Sequence, residues 1–369
     1  MKAEYNTYEQ LTALRRELHR CPEKSGCERK TMELLKDFIR RNTALGVIDR
    51  EGWFYAVHEE EGAEKSVAFR ADMDAVTGED GTPFHGCGHD GHSAVLAGLC
   101  LLADGKTLGK NVYFIFQPAE ETGQGGEICS RLLTEKKIEE VYAFHNLPGY
   151  PLGMAVLRKG TFACASRGII LTLKGRQCHA AYPEQGVNPA WLLGELICRI
   201  PQLAAEPGYS GMVLATIIEV KAGEEAFGVS PGDGKLALTL RAERLSDLDR
   251  FQDSIVSYAE KRAGEMEMAF QYSLQDEFPD TVNDPATVEA CRRMLEENGI
   301  TCMEAPLPLR WSEDFGWYLK KAGGMYFGVG AGEACPALHT AGYQFPDEVM
   351  KTALAALEAL LQRKSPASS

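Results

Sequence analysis

His85-Gly86-Cys87-Gly88-His89-Asp90-Gly91-His92 sets three histidines, a cysteine and an aspartate in one short stretch. These side chains bind divalent metals or move protons. The three glycines let the backbone turn sharply, which suits a loop that aims several side chains at one point. Residues 94–103 follow at once as an apolar run and read as a buried helix. Residues 66–70 precede it, read as a strand, and end in Ala71-Asp72-Met73-Asp74. Strand, ligand-rich loop and helix in this order predict an open α/β sheet with a site at the carboxyl ends of its strands.

Working outward, Leu11, Leu14 and Leu18 recur at helical spacing and Pro22 stops that helix. Met32, Leu35, Phe38 and Ile39 mark a second helix, and residues 53–57 a strand. Residues 112–116 form a continuous apolar run, as in a strand buried on both faces, and lead into Gln117-Pro118-Ala119-Glu120-Glu121. Residues 141–144 are another strand, ending in His145-Asn146-Leu147-Pro148.

The pattern then changes. Strand 168–173, helix 189–200, strands 212–220 and 235–242, helix 247–262 and strand 266–274 have the β-α-β-β-α-β order of a ferredoxin-like unit. This α+β domain is expected at residues 163–275, inserted into a domain made of residues 1–162 and 276–369. The outer domain resumes with helix 285–298 and strand 325–329, with His339 in the loop beyond. Helix 347–362 and a Ser/Pro tail, expected to be disordered, end the chain.

A chain of 369 residues that is 44% hydrophobic has enough apolar mass for these two domains. Its formal charge of -14, with no basic patch, argues against nucleic acid as a partner. The longest apolar run, 94–103, is too short to span a bilayer. Residues 1–20, rich in Glu and Arg, do not read as a secretory signal. Eleven cysteines, an odd number without a Cys-x-x-Cys pair, read as thiols of a reduced, cytoplasmic protein. Cys100 and Cys198, in apolar runs, read as buried filler.

Four segments beyond predicted strands carry ligand-type residues: Cys87 with His89, Glu120 with Glu121, His145, and His339. In a doubly wound sheet such ends converge on one crevice. Nitrogen, sulfur and carboxylate donors together suit zinc or a similar transition ion. The adjacent Glu120 and Glu121 repel unless one binds a cation or takes a proton. A metal site gives them separate tasks, one coordinating and one taking a proton from water. Spacing alone does not say which does which.

The histidine-cysteine stretch, Gln117-Pro118-Ala119-Glu120-Glu121 and Leu338-His339-Thr340 resemble the M20 metallopeptidases. They look most like the amidohydrolase branch, which holds amino-acid-conjugate hydrolases, hippurate hydrolase and N-acyl-amino-acid deacylases. His19-Arg20-Cys21-Pro22-Glu23, Arg70-Ala71-Asp72-Met73-Asp74-Ala75, residues 175–189 and Ser312-Glu313-Asp314-Phe315 extend the likeness along nearly the whole chain. The resemblance implies a zinc-exopeptidase-like catalytic domain with a mostly parallel sheet, and an inserted lid that pairs two subunits into a homodimer. It implies two divalent ions (Zn, Mn, Co or Ni) held by Cys87, His89, Glu121, His145 and His339. Glu120 would be the general base, and His179 of the lid would stabilise the oxyanion in the partner's site. Asp72 is expected to orient a histidine ligand from behind. His85, Asp90 and His92 read as supporting or merely polar residues, and Ser312, Glu313 and Asp314 as helix caps.

Two segments depart from the family pattern. The connection from Asp74 to His85 is short, and Gly228-Val229-Ser230-Pro231 stands where the family tends to have Asn-Val-Ile-Pro. The expected activity is cleavage of an amide bond in N-acyl amino acids, amino-acid conjugates or small peptides. A dipeptidase-like enzyme and a metal-binding homologue without hydrolase activity are the alternatives. A thiol enzyme with Cys87 as nucleophile fits the neighbouring carboxylates less well.

Overall fold

The computed structural model describes residues 2–363, with side chains from Thr7 onward. The Ser/Pro tail lies outside the described residues. The chain separates into two compact units. The first runs to Phe162, resumes over Thr281–Leu307 and continues from Asp314; the second is Ala163–Asp280 with Pro308–Glu313.

The first unit opens with α1 (Lys2–His19), α2 (Arg29–Asn42), β1 (Gly46–Arg50), β2 (Trp53–His58) and β3 (Ser66–Asp72). Next come α3 (His89–Ala103), β4 (Asn111–Gln117), β5 (Glu140–Pro148) and β6 (Ala155–Leu157). The second unit holds β7 (Ala165–Lys174), α4 (Ala190–Ala204), β8 (Val213–Ala222), β9 (Asp233–Ala242), α5 (Leu245–Glu265) and β10 (Ala269–Phe278). The chain returns to the first unit with α6 (Pro285–Glu297), β11 (Cys302–Glu304), β12 (Gly323–Gly332) and α7 (Val349–Leu361).

The sheet of the first unit has the order β1-β2-β4-β3-β5-β12-β6-β11. Its central strands β4, β3, β5 and β12 are mutually parallel, and antiparallel strands lie outside them. Parallel strands need both faces covered, so they read as continuous apolar runs, and β3 is buried along its whole length. Helix α3 is nearly as enclosed and packs on α1, α2, α7 and β3. Leu11, Leu14, Leu18, Leu35, Ile39, Phe69, Val95 and Leu99 join one core there. Each such side chain contributes about 1.5–3 kcal/mol when fully buried.

The second unit is a four-stranded antiparallel sheet in the order β8-β9-β7-β10, the ferredoxin-like arrangement. Leu192, Leu196 and Ile200 of α4, with Phe251 and Ile255 of α5, pack on Leu171, Leu238 and Leu240 of the sheet.

Several expectations shift. Strand β10 continues to Phe278, so the second unit reaches past the expected limit at 275. Helix α3 starts at His89 rather than at Ala94, because Gly88 supplies a left-handed turn (φ +95°) at its entrance. His145 lies within β5 instead of beyond it. Cys198 is exposed, on the side of α4 away from its core. The short strands β1, β6 and β11 carried no clear apolar alternation and were not expected.

Candidate metal centre

Strands β3, β4, β5 and β12 all point the same way, so their carboxyl ends share one edge of the sheet. Each delivers side chains to it. Cys87 Sγ lies 3.4 Å from His145 Nε2 and 3.3 Å from His339 Nε2. His339 Nε2 is 3.4 Å from Glu121 Oε1. His89 Nε2 is 3.8 Å from both Glu121 Oε1 and Glu120 Oε2. Cys87 belongs to two donor groups, with His89 and His145 and with Glu121 and His339; the donor atoms within each group lie within 4.8 Å of one another.

The backbone works to achieve this. A side chain at Gly88 would collide with Asn146, Tyr343 and Phe345. His339 has φ +63°, rare for a residue with a Cβ, and its N–H donates to Gly86 O at 2.8 Å, which ties its turn to the motif. Ala119, just ahead of the glutamates, also has a positive φ, +52°.

Hydrogen bonds turn the rings inward. His89 Nδ1 contacts Asp74 O at 2.9 Å and Asp74 Oδ1 at 3.2 Å. His145 Nδ1 contacts Asn146 O at 2.7 Å. His145 is left with Nε2 facing Cys87, and His89 with Nε2 facing the glutamates. Asp74 Oδ2 also accepts from Ser25 Oγ at 2.7 Å and from Glu121 N–H at 3.0 Å.

Asp72 was expected behind a histidine ligand, but its 2.7 Å contact is with His92 Nδ1. Its Oδ2 accepts from Arg70 and remains 3.8 Å from His89 Nε2. The carboxylate behind His89 is Asp74, and sequence offered no way to choose between two aspartates one residue apart on either side of Met73. His92 spends its other nitrogen on Asn146 Oδ1 at 2.6 Å, and Asn146 Nδ2 donates to Tyr343 OH. Asp90 is held by Arg15 and His19, and His85 Nε2 by Leu18 O, so these two residues fasten the motif to α1.

Beneath the site, Arg70 is 2% exposed and reaches Asp72, Gln117 and Asp314 at 2.7–2.9 Å. Asp314 also accepts from Gln117 Nε2 and from the Gly126 N–H, the latter at 2.6 Å. Its side chain therefore serves the distant helix Gly125–Cys129, and the helix following it, Gly316–Leu319, has no side-chain cap. Ser312 instead accepts from Arg241.

Charges in the site are unbalanced without a cation. Burial would lower the pKa of His89, but Asp72, Asp74 and Glu121 push it up to about 10. Burial, then Glu121, Glu120 and Asp72, push the Cys87 thiol well above its ordinary value. That is the reverse of an activated thiol nucleophile. Burial and His92 hold His145 well below the usual range, so it is neutral. His89 Nε2 and Glu121 Oε1 are both buried with no hydrogen-bond partner. Buried polar atoms left without partners are costly unless something answers them. A divalent cation fits them: it would neutralise the carboxylates and lower the thiol pKa.

His179 belongs to the second unit. It is exposed on the short strand Cys178–His179, its ring faces Tyr182, and its Nδ1 accepts from the Ala181 N–H at 3.0 Å.

The fold and this edge of the sheet define a hydrolase of the M20 type. The profile of Peptidase family M20/M25/M40 matches residues 68–363, and the chain belongs to that family. N-acetyldiaminopimelate deacetylase of Exiguobacterium sibiricum is 28% identical over 88% of this chain and 91% of its own. A dinuclear metal-binding M20 peptidase of Bacillus subtilis superposes with a TM-score of 0.80 at 21% identity, covering 97% of this chain and 98% of the other. The aminobenzoyl-glutamate utilization protein of Klebsiella pneumoniae does so with a TM-score of 0.76 at 19% identity, over 98% of both chains. Among the described residues no helix is long and apolar enough to cross a membrane.

Proposed function

We propose that this M20 hydrolase cleaves the amide bond of N-acyl amino acids, with related amino-acid conjugates and small peptides as further substrates. The observation that carries the reading is Cys87 standing in both donor groups, with Glu120 at their margin. Cys87, His89, Glu121, His145 and His339 would hold two divalent ions, drawn from Zn, Mn, Co and Ni. When bound, such ions polarise a carbonyl and acidify water. The protein performs the rest. Glu120, only 5% exposed, takes the proton from the attacking water and returns it to the leaving amine nitrogen. Asp74 and the Asn146 carbonyl keep the histidine rings in one orientation.

His179 is the proposed oxyanion donor. With Nδ1 accepting from the Ala181 N–H, Nε2 is the ring nitrogen left to donate. The role would be exercised in the site of a partner subunit. Support for a homodimer through the second unit comes from edge strand β8, where Ile217, Ile218 and Val220 are 44%, 62% and 47% exposed. A long apolar edge strand is normally covered. Ile218→Lys should give a monomer in sedimentation; an unchanged dimer would place the contact elsewhere. We assign the enzyme to the cytoplasm.

The test of function is hydrolysis of a panel of N-acyl amino acids, N-acetyldiaminopimelate among them, with each metal added in turn. Chelator-sensitive release of the free amino acid is expected. Metal binding without turnover of any panel member or dipeptide would contradict the reading.

A further inference from the structure

The turn that carries the two glutamates is gripped by a residue far from it in sequence. Ala119 immediately precedes Glu120 and has φ +52°, a conformation that an alanine adopts only under constraint. Its N–H donates to Glu28 Oε1 at 2.8 Å. The same oxygen accepts the Gly26 N–H at 2.8 Å. On the other side, the Ala119 carbonyl accepts from the N–H groups of Gln124 and Gly125, both at 3.2 Å. Glu28 is 2% exposed and sits at the entrance of α2, yet its side chain caps nothing in that helix. A carboxylate buried at this cost is being used for Ala119 and Gly26.

We propose that Glu28 is a positioning residue for the reaction. By holding the Ala119 N–H it keeps that residue in the left-handed region, and so sets where the carboxylates of Glu120 and Glu121 point. Relaxation of Ala119 to an ordinary helical φ near -60° would rotate the chain by roughly 110° at the residue before the base. Glu28 touches no reacting atom and acts through the backbone alone. The inference rests on the reading of Glu120 as the general base.

The experiment compares Glu28→Gln, Glu28→Ala, the double variant Glu28→Ala/Ala119→Gly and Glu120→Gln in the full chain. It measures kcat and KM, bound metal, and hydrogen exchange of the peptide spanning residues 117–123. Glutamine retains an oxygen that can accept both N–H groups, so Glu28→Gln should stay within about twofold of wild-type kcat. Glu28→Ala should lose about tenfold or more in kcat with little change in KM, and the Ala119 amide should exchange faster. Glycine adopts positive φ without strain, so Ala119→Gly should recover most of the lost kcat in the Glu28→Ala background. A merely structural role of Glu28 would not be rescued in this way. Wild-type kcat and exchange in Glu28→Ala, beside an inactive Glu120→Gln, would overturn the inference and leave the proposed function standing. Failure of Ala119→Gly to restore any activity would also overturn it. Full turnover by Glu120→Gln would instead contradict the proposed function, and this inference with it.

Discussion

Asp74 grips His89 twice, through its carbonyl oxygen at 2.9 Å and its Oδ1 at 3.2 Å from Nδ1. One residue thereby fixes both the tilt and the direction of the ring. Its Oδ2 takes the Glu121 N–H, so the same carboxylate registers a second donor segment. Removing such an outer partner commonly costs 10–100-fold in metal affinity. Asp74→Ala should weaken binding by roughly that factor in a competition titration against a chromogenic chelator. Wild-type affinity would mean that the backbone carbonyl alone orients His89.

The two donor groups that share Cys87 can be told apart by stoichiometry. Cys87→Ala should lower occupancy of both ions, because its sulfur belongs to both groups. His339→Ala removes a donor from one group only and should bring the metal content from about two ions toward one. Elemental analysis of the purified variants reads this directly. Equal losses in the two variants would argue against a shared sulfur.

Much of this was legible from residue patterns, for identifiable reasons. The central strands β3, β4 and β5 are long apolar runs because both faces are covered, and burial of that kind leaves a strong signal. Glu120 and Glu121 follow β4 closely, His145 lies within β5, and Cys87 and His339 lie in the segments beyond β3 and β12, so their convergence followed from the sheet. Partners such as Glu28, Asp74, Asn146 and Tyr343 gave no comparable signal. Glu28 acts on Ala119 across 91 residues of chain, and nothing local to either marks the pairing. Asp72 ends β3 and Asp74 lies two residues beyond it, and no residue pattern marks which of them backs His89. The exposed β8 and β10 broke the usual alternation, which blurred the end of the second unit.

Glu28 also makes stability depend on pH. Burial, then the nearby charge of Asp74, raises its pKa from 4.5 to about 7 in the metal-free protein. A carboxyl with a raised folded value binds its proton more tightly when folded. Its contribution is therefore complete below about pH 4.5 and is lost as the pH rises through about 7. The displacement corresponds to an effect on the order of 3 kcal/mol. Metal-free wild type should thus lose stability between these values relative to Glu28→Gln, as followed by denaturant unfolding at several pH values. Parallel profiles for the two proteins would refute the assignment.

Arg70 compensates Asp72 and Asp314, all three fully buried. Arg70→Met would remove the guanidinium from both carboxylates, leaving Asp72 to its histidines and Asp314 to neutral donors. Breaking a buried pair in this way costs about 3–5 kcal/mol. Urea unfolding should show a loss of at least that size. A change below about 1 kcal/mol would mean that Gln117 and the Gly126 N–H satisfy Asp314 unaided.

The central claim is that Glu120 moves the proton and Glu121 holds metal. Glu120→Gln preserves shape but cannot take a proton from water, whereas Glu121→Gln removes a charged donor. The decisive measurement is metal content beside single-turnover hydrolysis for both variants. Glu120→Gln should keep its metal and lose at least about 10²–10⁴-fold in turnover, with no recovery in excess metal. Glu121→Gln should lose metal first and regain part of its activity when metal is added. Loss of metal from Glu120→Gln with full metal in Glu121→Gln would exchange the two roles, and normal turnover by both would contradict the mechanism itself.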